Sequence, residues 1–405
     1  MNTSVNQSGM TLQRDAKLLI TTRLLRSFSL GLLGFSLSLY YNELNFDYLK
    51  IGILLGFTLL GSGLSTIIAG LLSQRYRLKK IILGIILISS LSFLIFILTD
   101  NFILLLITSL FAFINPNAKD AGPLMSLEQA FIPFISNKED RTFLYSLWNI
   151  SASVSLSFGL LMAGVPFYLG YDLIYSPLLI YKFIFSISLI LNLSTLFVYR
   201  SLSDIEISHR KSKNITIKNK KTIYQLSLLF ALDAFGGGFI ISNVISLWFK
   251  LNFHASNEQL SLIFSIGGIL EAISYIFANP IANRFGLLNT MVFTHIPANI
   301  MLMLVPFIPT FLFASIIFVS RSILSQMDVP TRQAFIVLLV DEDERTILTS
   351  ITNVSRLGAS STAPLIATQL LQGAIFSTLF IGGGIKILYD LLIYQKFKSV
   401  ELEGQ

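Results

Sequence analysis

The chain has 405 residues, 53% of them hydrophobic and only 13% charged. A soluble domain carries about 25% charge, so a water-facing globule is excluded and lipid is the expected solvent. The formal charge of +7 comes without a basic, aromatic-interleaved surface of the kind that binds nucleic acid. The absence of Cys excludes disulfides, thiolate metal sites and Cys nucleophiles.

A membrane-spanning helix needs about 20 mostly apolar residues. Twelve such runs follow one another, at residues 16–42, 49–73, 80–98, 102–135, 142–167, 175–199, 223–249, 257–281, 286–307, 310–339, 345–372 and 374–395. Arg14, Asp15 and Lys17 lead into a first run too long for a signal-peptide core, so no cleavable signal is expected. The fourth and tenth runs exceed a bilayer and are expected to project from it or to bend near Pro116, Pro123 and Pro330. With the N-terminus inside, most of the 29 Lys and Arg residues fall on the cytoplasmic face, while Lys50, Lys182 and Lys250 lie near the outer one. The expected product is a multi-pass protein of the cell membrane with both termini in the cytoplasm. The polar, basic segment 200–222 divides the chain into 1–199 and 223–405, six runs on either side.

The halves repeat. "QAFIPFISNKEDRTFLYSLWNIS", from Gln129 to Ser151, returns 204 residues later as "QAFIVLLVDEDERTILTSITNVS", from Gln333 to Ser355, with ten of 23 positions identical and no gap. An all-α fold of two six-helix bundles related by a parallel repeat is therefore expected. Within each copy, Asn137 or Asp341 followed by Asp140 or Glu344 reads as a helix start. The cation that follows, Arg141 or Arg345, opposes the helix dipole and so calls for a partner on a neighbouring helix end. These two arginines are read as gate-latch residues.

"GLLSQRYRLKK", Gly70 to Lys80, resembles the major facilitator superfamily signature G-x-x-x-D-R-x-G-R-R/K, and "NPIANRFGLLN", from Asn279, resembles it at the corresponding place in the second half. Arg75 and Arg284 keep the arginine, and Gly286 keeps the later glycine. Gln74 and Asn283 stand where the acid belongs, and Arg77 and Asn279 replace glycines. "SQMDVPTRQAFI", Ser325 to Ile336, with "DERT" and "TNVSR" after it, is similar to prokaryotic members of that superfamily. The resemblance implies the twelve-helix major facilitator fold, alternating access, and a cytoplasmic gate in which Arg75 and Arg284 take part.

An ionisable group near the bilayer centre costs at least about 2.5–3.5 kcal/mol, which makes each one a functional candidate. Arg26 and Asp233 lie about equally deep in the first and seventh runs and are repeat equivalents of opposite sign. Arg321, Arg356 and Glu271 lie mid-span in the tenth, eleventh and eighth runs, Arg321 opposite Asn117 of the first half. Arg23, Lys119, Asp120, Glu128, Asp328 and Arg332 lie nearer the cytoplasmic third, where Asp328 and Arg332 are assigned to the gate and Glu128 is the repeat equivalent of Arg332. In one reading Arg26, Arg321 and Arg356 bind an anionic or hydrogen-bonding solute while Asp233 or Glu271 carries a coupling proton. In the other, these groups neutralise one another between helices. Lys386 and Asp390, four apart, read as a self-neutralising pair. Gln129, Gln333, Asn149 and Asn353 read as buried interhelical amides, and Gly236, Gly237 and Gly238 as a close helix contact or a hinge.

There is no P-loop, no H-E-x-x-H and no G-x-S-x-G, and His209, His254 and His295 are too scattered for a metal cluster. No enzyme activity, metal or cofactor is expected. The sequence reads as a monomeric secondary transporter of a small polar or anionic organic solute, or of an expelled drug-like compound, with proton coupling. The alternative is a non-transporting membrane sensor or scaffold of the same fold.

Overall fold

The computed structural model describes residues 2–73, 75–117, 122–136, 141–203, 219–339, 344–373 and 377–399. Most of the linker, and the helix-start residues Asn137, Asp140 and Asp341, lie outside them, as do Lys119 and Asp120. Among the described residues every regular element is a helix. The chain forms two compact units, Met1–Asn45 with Phe57–Arg210, and Phe46–Gly56 with Lys211–Gln405.

In the first unit, α1 (Asn2–Leu33) runs into α2 (Ser36–Glu43). Helix α3 (Tyr48–Leu72), whose residues up to Gly56 belong to the second unit and the rest to the first, starts at Asp47, whose carboxylate accepts the Lys50 backbone N–H at 2.7 Å. That bond holds the exposed Asp47 carboxyl below its usual range. Helix α4 (Leu78–Leu98) is followed by α5 (Phe102–Phe111), where the Asn101 side chain caps Ile103 and Leu104 at 3.0 and 3.2 Å. Residues 112–117 are not helical, and α6 (Pro123–Phe131) is entered through Gly122 at φ 148° with Pro123 in the first turn. Helices α7 (Arg141–Tyr168) and α8 (Pro177–Arg200) complete the unit. Its core gathers Leu19, Ile86, Phe131, Trp148 and Tyr199.

The second unit contains α9 (Lys220–Phe239), α10 (Ser242–Phe253), α11 (Asn257–Phe285) and α12 (Leu287–Leu304). A capping box of Ser256 and Gln259 opens α11. The next run is three pieces, α13 (Phe311–Ser320), α14 (Ser322–Ser325) and α15 (Asp328–Leu338), and α16 (Arg345–Gly373) and α17 (Ser377–Phe397) follow. Phe230, Met291, Phe335, Tyr389 and Ile393 form its core.

The two long runs do not stay straight. The fourth is interrupted at residues 112–117, and the tenth at Arg321 and Gln326, whereas Pro330 sits in the first turn of α15, where a missing N–H costs nothing. Nine helical segments among the described residues are long and apolar enough to cross a membrane. The fourth run falls short because it is broken. Helices α16 and α17 are long enough but are not among the nine.

Close helix contact in each unit depends on small residues at matching places. A Cβ on Gly31 of α1 would lie 2.2 Å from the Leu156 carbonyl oxygen and 2.9 Å from Cα of Gly159 on α7. A Cβ on Gly238 of α9 would lie 2.5 Å from Cβ of Ala363 on α16. Gly238 and Ala363 stand 207 and 204 residues after Gly31 and Gly159. Lipid offers no hydrophobic drive between helices, so van der Waals contact of this kind holds them. Gly31→Leu is expected to abolish the monodisperse gel-filtration peak of the detergent-purified protein. Gly84→Leu, where nothing lies within 4 Å, is expected to leave it unchanged.

Candidate functional site

Each unit buries a group of charges around one carboxylate. In the first, Glu128 of α6 is fully buried. Arg26 of α1 meets it in a bidentate pair, Nη1 to Oε1 at 2.8 Å and Nη2 to Oε2 at 2.7 Å. Trp148 Nε1 of α7 donates to Oε2 at 3.1 Å, Thr22 donates to Oε1 at 3.2 Å, and the Tyr199 hydroxyl of α8 also donates to Oε1. Arg26 donates in turn to the Tyr199 oxygen at 2.6 Å. Arg23 lies 3.9 Å from Oε2, its guanidinium 3.7 Å from the centre of the Trp148 ring. One acid thus ties four helices. Beside Arg26 lies a cavity of about 30 Å³, bordered by Ser29, Ser89, Asn192 and the non-helical Phe113. It has room for a water.

In the second unit the sign is inverted. Asp233 of α9 is 2% exposed and accepts from three cations on three other helices. Lys386 Nζ of α17 is 2.6 Å from Oδ1, and Arg356 of α16 and Arg332 of α15 are 2.9 and 3.2 Å from Oδ2. Arg332 also binds Asp328 at 2.9 Å, one turn back on its own helix. The Arg356 side chain stays 30% exposed, against 11% for Arg332 and 13% for Lys386. One turn along α17 from Lys386, the buried His295 of α12 places Nδ1 2.9 Å from both oxygens of the buried Asp390.

The opposite-sign equivalents are therefore partners inside their own units. Arg26 pairs with Glu128, and at matching positions Asp233 pairs with Arg332. Asp328, which is buried, and Arg332, 11% exposed, both placed at a gate by sequence, belong here to the Asp233 group. Lys386 and Asp390 do not neutralise each other, because packing of α17 against α9 and α12 offers each a partner on another helix. The Cα approach of Gly236 to Lys386 Cγ, within 2.9 Å of where a Cβ would be, is what lets Lys386 lie alongside α9.

Arg321 is buried at the α13–α14 break, with its guanidinium 4.9 Å from the Phe318 ring centre and within electrostatic reach of Glu271. Nearby, the Tyr275 hydroxyl donates to Gln326 Oε1 at 3.2 Å. Arg75 and Arg284 are exposed at helix ends. Arg141 and Arg345 begin α7 and α16, and their side chains lie outside the described residues. The expected buried amides are mostly not buried. Asn149, Asn353 and Gln333 are exposed and Gln129 half-buried, while the neighbouring Trp148 and Glu128 turn inward. Glu344 stands at the start of α16, as expected, and also accepts from the Asn219 backbone N–H and side-chain amide at 3.1 and 2.6 Å, at the start of α9. Sequence reasoning overlooked His295, Tyr199 and Trp148. Only the compensating exchange of Arg26 with Glu128 for Asp233 with Arg332 could have signalled the paired charges.

Together these features define an all-helical, multi-pass membrane protein with ion-paired charge in the interior of each unit. The family model described as Major Facilitator Superfamily matches residues 19–225, and the chain belongs to that superfamily, one of transporters rather than enzymes. An uncharacterized membrane protein of Saccharomyces cerevisiae, YJR124C, is 23% identical over 425 aligned residues, covering 96% of this chain and 95% of that one. Among solved structures, a mutant of the nucleoside transporter NupG superposes with a TM-score of 0.76 at 12% identity, covering 94% of this chain and all of that one. A bacterial homologue of the iron transporter ferroportin gives 0.75 at 15% identity, covering 96% and 99%. The human organic anion transporter MFSD10 gives 0.64 at 12% identity and 94% coverage. At these identities the likeness shows the fold.

Proposed function

We propose that this protein is a secondary active transporter of a small polar or anionic organic solute, or of a drug-like compound. It works by alternating access of two six-helix halves with twelve spans, in the cell membrane, as a monomer with cytoplasmic termini. The observation that carries this reading is the Asp233 group. Three cations around one buried carboxylate, one of them still 30% exposed, put a positive, solvent-reaching guanidinium among groups too costly for a passive scaffold to keep. The similar structures include a nucleoside transporter and an organic anion transporter, which supports a polar or anionic cargo. Arg26 beside its cavity, together with Arg321, Arg356 and Glu271, supplies the contacts. Proton coupling belongs to the same proposal, with Asp233 and Glu271 as candidate carriers. Arg75, Arg284, Arg141 and Arg345 act at the cytoplasmic gate.

The test is reconstitution into liposomes with an imposed pH gradient, screening radiolabelled organic anions, nucleosides and cationic drugs for gradient-driven accumulation. Arg356→Gln is expected to purify normally and to reduce accumulation about tenfold or more, the loss of one hydrogen bond to a charged group. A folded wild-type protein that moves no solute in either direction would leave the sensor or scaffold reading in its place.

A further inference from the structure

We propose that His295 and Asp390 form a further proton-binding site of this carrier, beside the Asp233 group, and that the proton on His295 decides which acid Lys386 neutralises. The proposal rests on the transporter reading for its purpose, though its chemistry is independent of it. His295 is 3% exposed and Asp390 fully buried, and Nδ1 of the one faces both oxygens of the other at 2.9 Å. A carboxylate only accepts, so Nδ1 keeps its hydrogen throughout, and the proton that comes and goes is the one on Nε2. Losing it leaves the hydrogen bond in place but removes the charge that balances Asp390. A buried carboxylate without a cation is costly.

The replacement is already in position. Lys386 lies four residues before Asp390 on α17, the spacing at which two side chains share one helix face. In this structure it reaches instead to Asp233 on α9, at 2.6 Å. Asp233 can release it, since Arg332 and Arg356 remain. Protonated His295 therefore leaves Lys386 free to bridge α17 to α9, and neutral His295 draws it back to Asp390 and loosens that bridge. The lysine pairing suggested by spacing within the helix and the pairing found in the structure are then the two positions of one switch.

Counting charges gives the same coupling. Arg332, Arg356 and Lys386 balance Asp233, Asp328 and Asp390 when His295 is neutral, and its proton adds one positive charge to the group. The other charged and titratable groups on elements packed against α12 are Tyr389, Tyr394 and Lys396 on α17, Glu258, Glu271, Tyr275 and Arg284 on α11, and Arg321 between α13 and α14. Of these the Tyr389 ring is near, 6.5 Å from His295 centre to centre.

The chain holds three histidines, so ¹⁵N-histidine NMR of the purified protein can follow His295, its signal assigned by its loss in His295→Gln. The wild-type signal is expected to move as the pH is changed. Lys386→Met removes both a like charge and the competing partner of Asp390, and should raise the midpoint by about one pH unit, whereas Asp390→Asn should lower it by about as much. The His254 signal serves as a folding control. If Lys386→Met does not purify, Arg356→Gln should shift the midpoint upward by a smaller amount. Hydrogen–deuterium exchange around Asp233, corrected for its intrinsic pH dependence, should rise as His295 deprotonates and stay flat in Asp390→Asn. A signal that does not move from pH 4 to 9, a midpoint indifferent to these cations, or flat wild-type exchange would overturn the proposal. No transported solute is needed, so a failed liposome screen and a failed titration are separate results.

Discussion

Glu128→Gln is expected to lower the thermal unfolding midpoint of the detergent-purified protein by about 5–10 °C, the consequence of losing about 3–5 kcal/mol. Glutamine has nearly the shape of glutamate, so its one carbonyl oxygen can keep the bond from Trp148 while the amide nitrogen donates to the Thr22 and Tyr199 hydroxyls. The charge cannot. Arg26 keeps its place within α1, 6% exposed, and Arg23 keeps its place against Trp148, with no carboxylate left between them. Removing one partner of a buried pair costs more than removing both, because the survivor stays desolvated. Arg26→Gln/Glu128→Gln should therefore recover more than half of the loss, and differential scanning fluorimetry of the two single variants and the double variant measures it. If the double variant is no more stable than Glu128→Gln alone, the residual cost belongs to Arg23 rather than to the Arg26 pair.

The second unit explains why such a pair can be inverted without changing the fold. The geometry asks for one acid and one base on the facing helices and is indifferent to which helix carries which. Read along the sequence, the exchange of Arg26 for Asp233 and of Glu128 for Arg332 was visible, and each exchange alone suggested two different sites. Only their joint occurrence points to a pair inside each unit. The helices themselves were legible because apolar runs of span length have few other structures open to them. Which face of a run turns inward was not. Apolar residues line both the exposed and the buried faces of a membrane helix, so the apolar pattern does not show that Asn149 and Gln333 are exposed while Trp148 and Glu128 are buried. His295 escaped notice because its partner had already been assigned to Lys386 by spacing within one helix. The packing of α17 against α9 and α12 separates them, and such packing is not written in local spacing.

Asp233→Asn is the harsher test of the second unit, since three cations lose their shared acceptor rather than two. Arg332 retains Asp328 at 2.9 Å and Arg356, 30% exposed, can turn toward solvent. Lys386 retains neither outlet directly, and its compensation is a move to Asp390, which must then give up its balance with His295. The expected loss is again about 3–5 kcal/mol in stability, with accumulation in proteoliposomes falling to background because the bridge from α9 to α17 is gone. Asp233→Asn/Lys386→Met should restore stability by about half while leaving accumulation at background. That division between the two readouts is what distinguishes a working charge from a structural one. If the double variant regains transport together with stability, Asp233 and Lys386 only hold the helices together, and the solute and the proton are handled elsewhere in the chain.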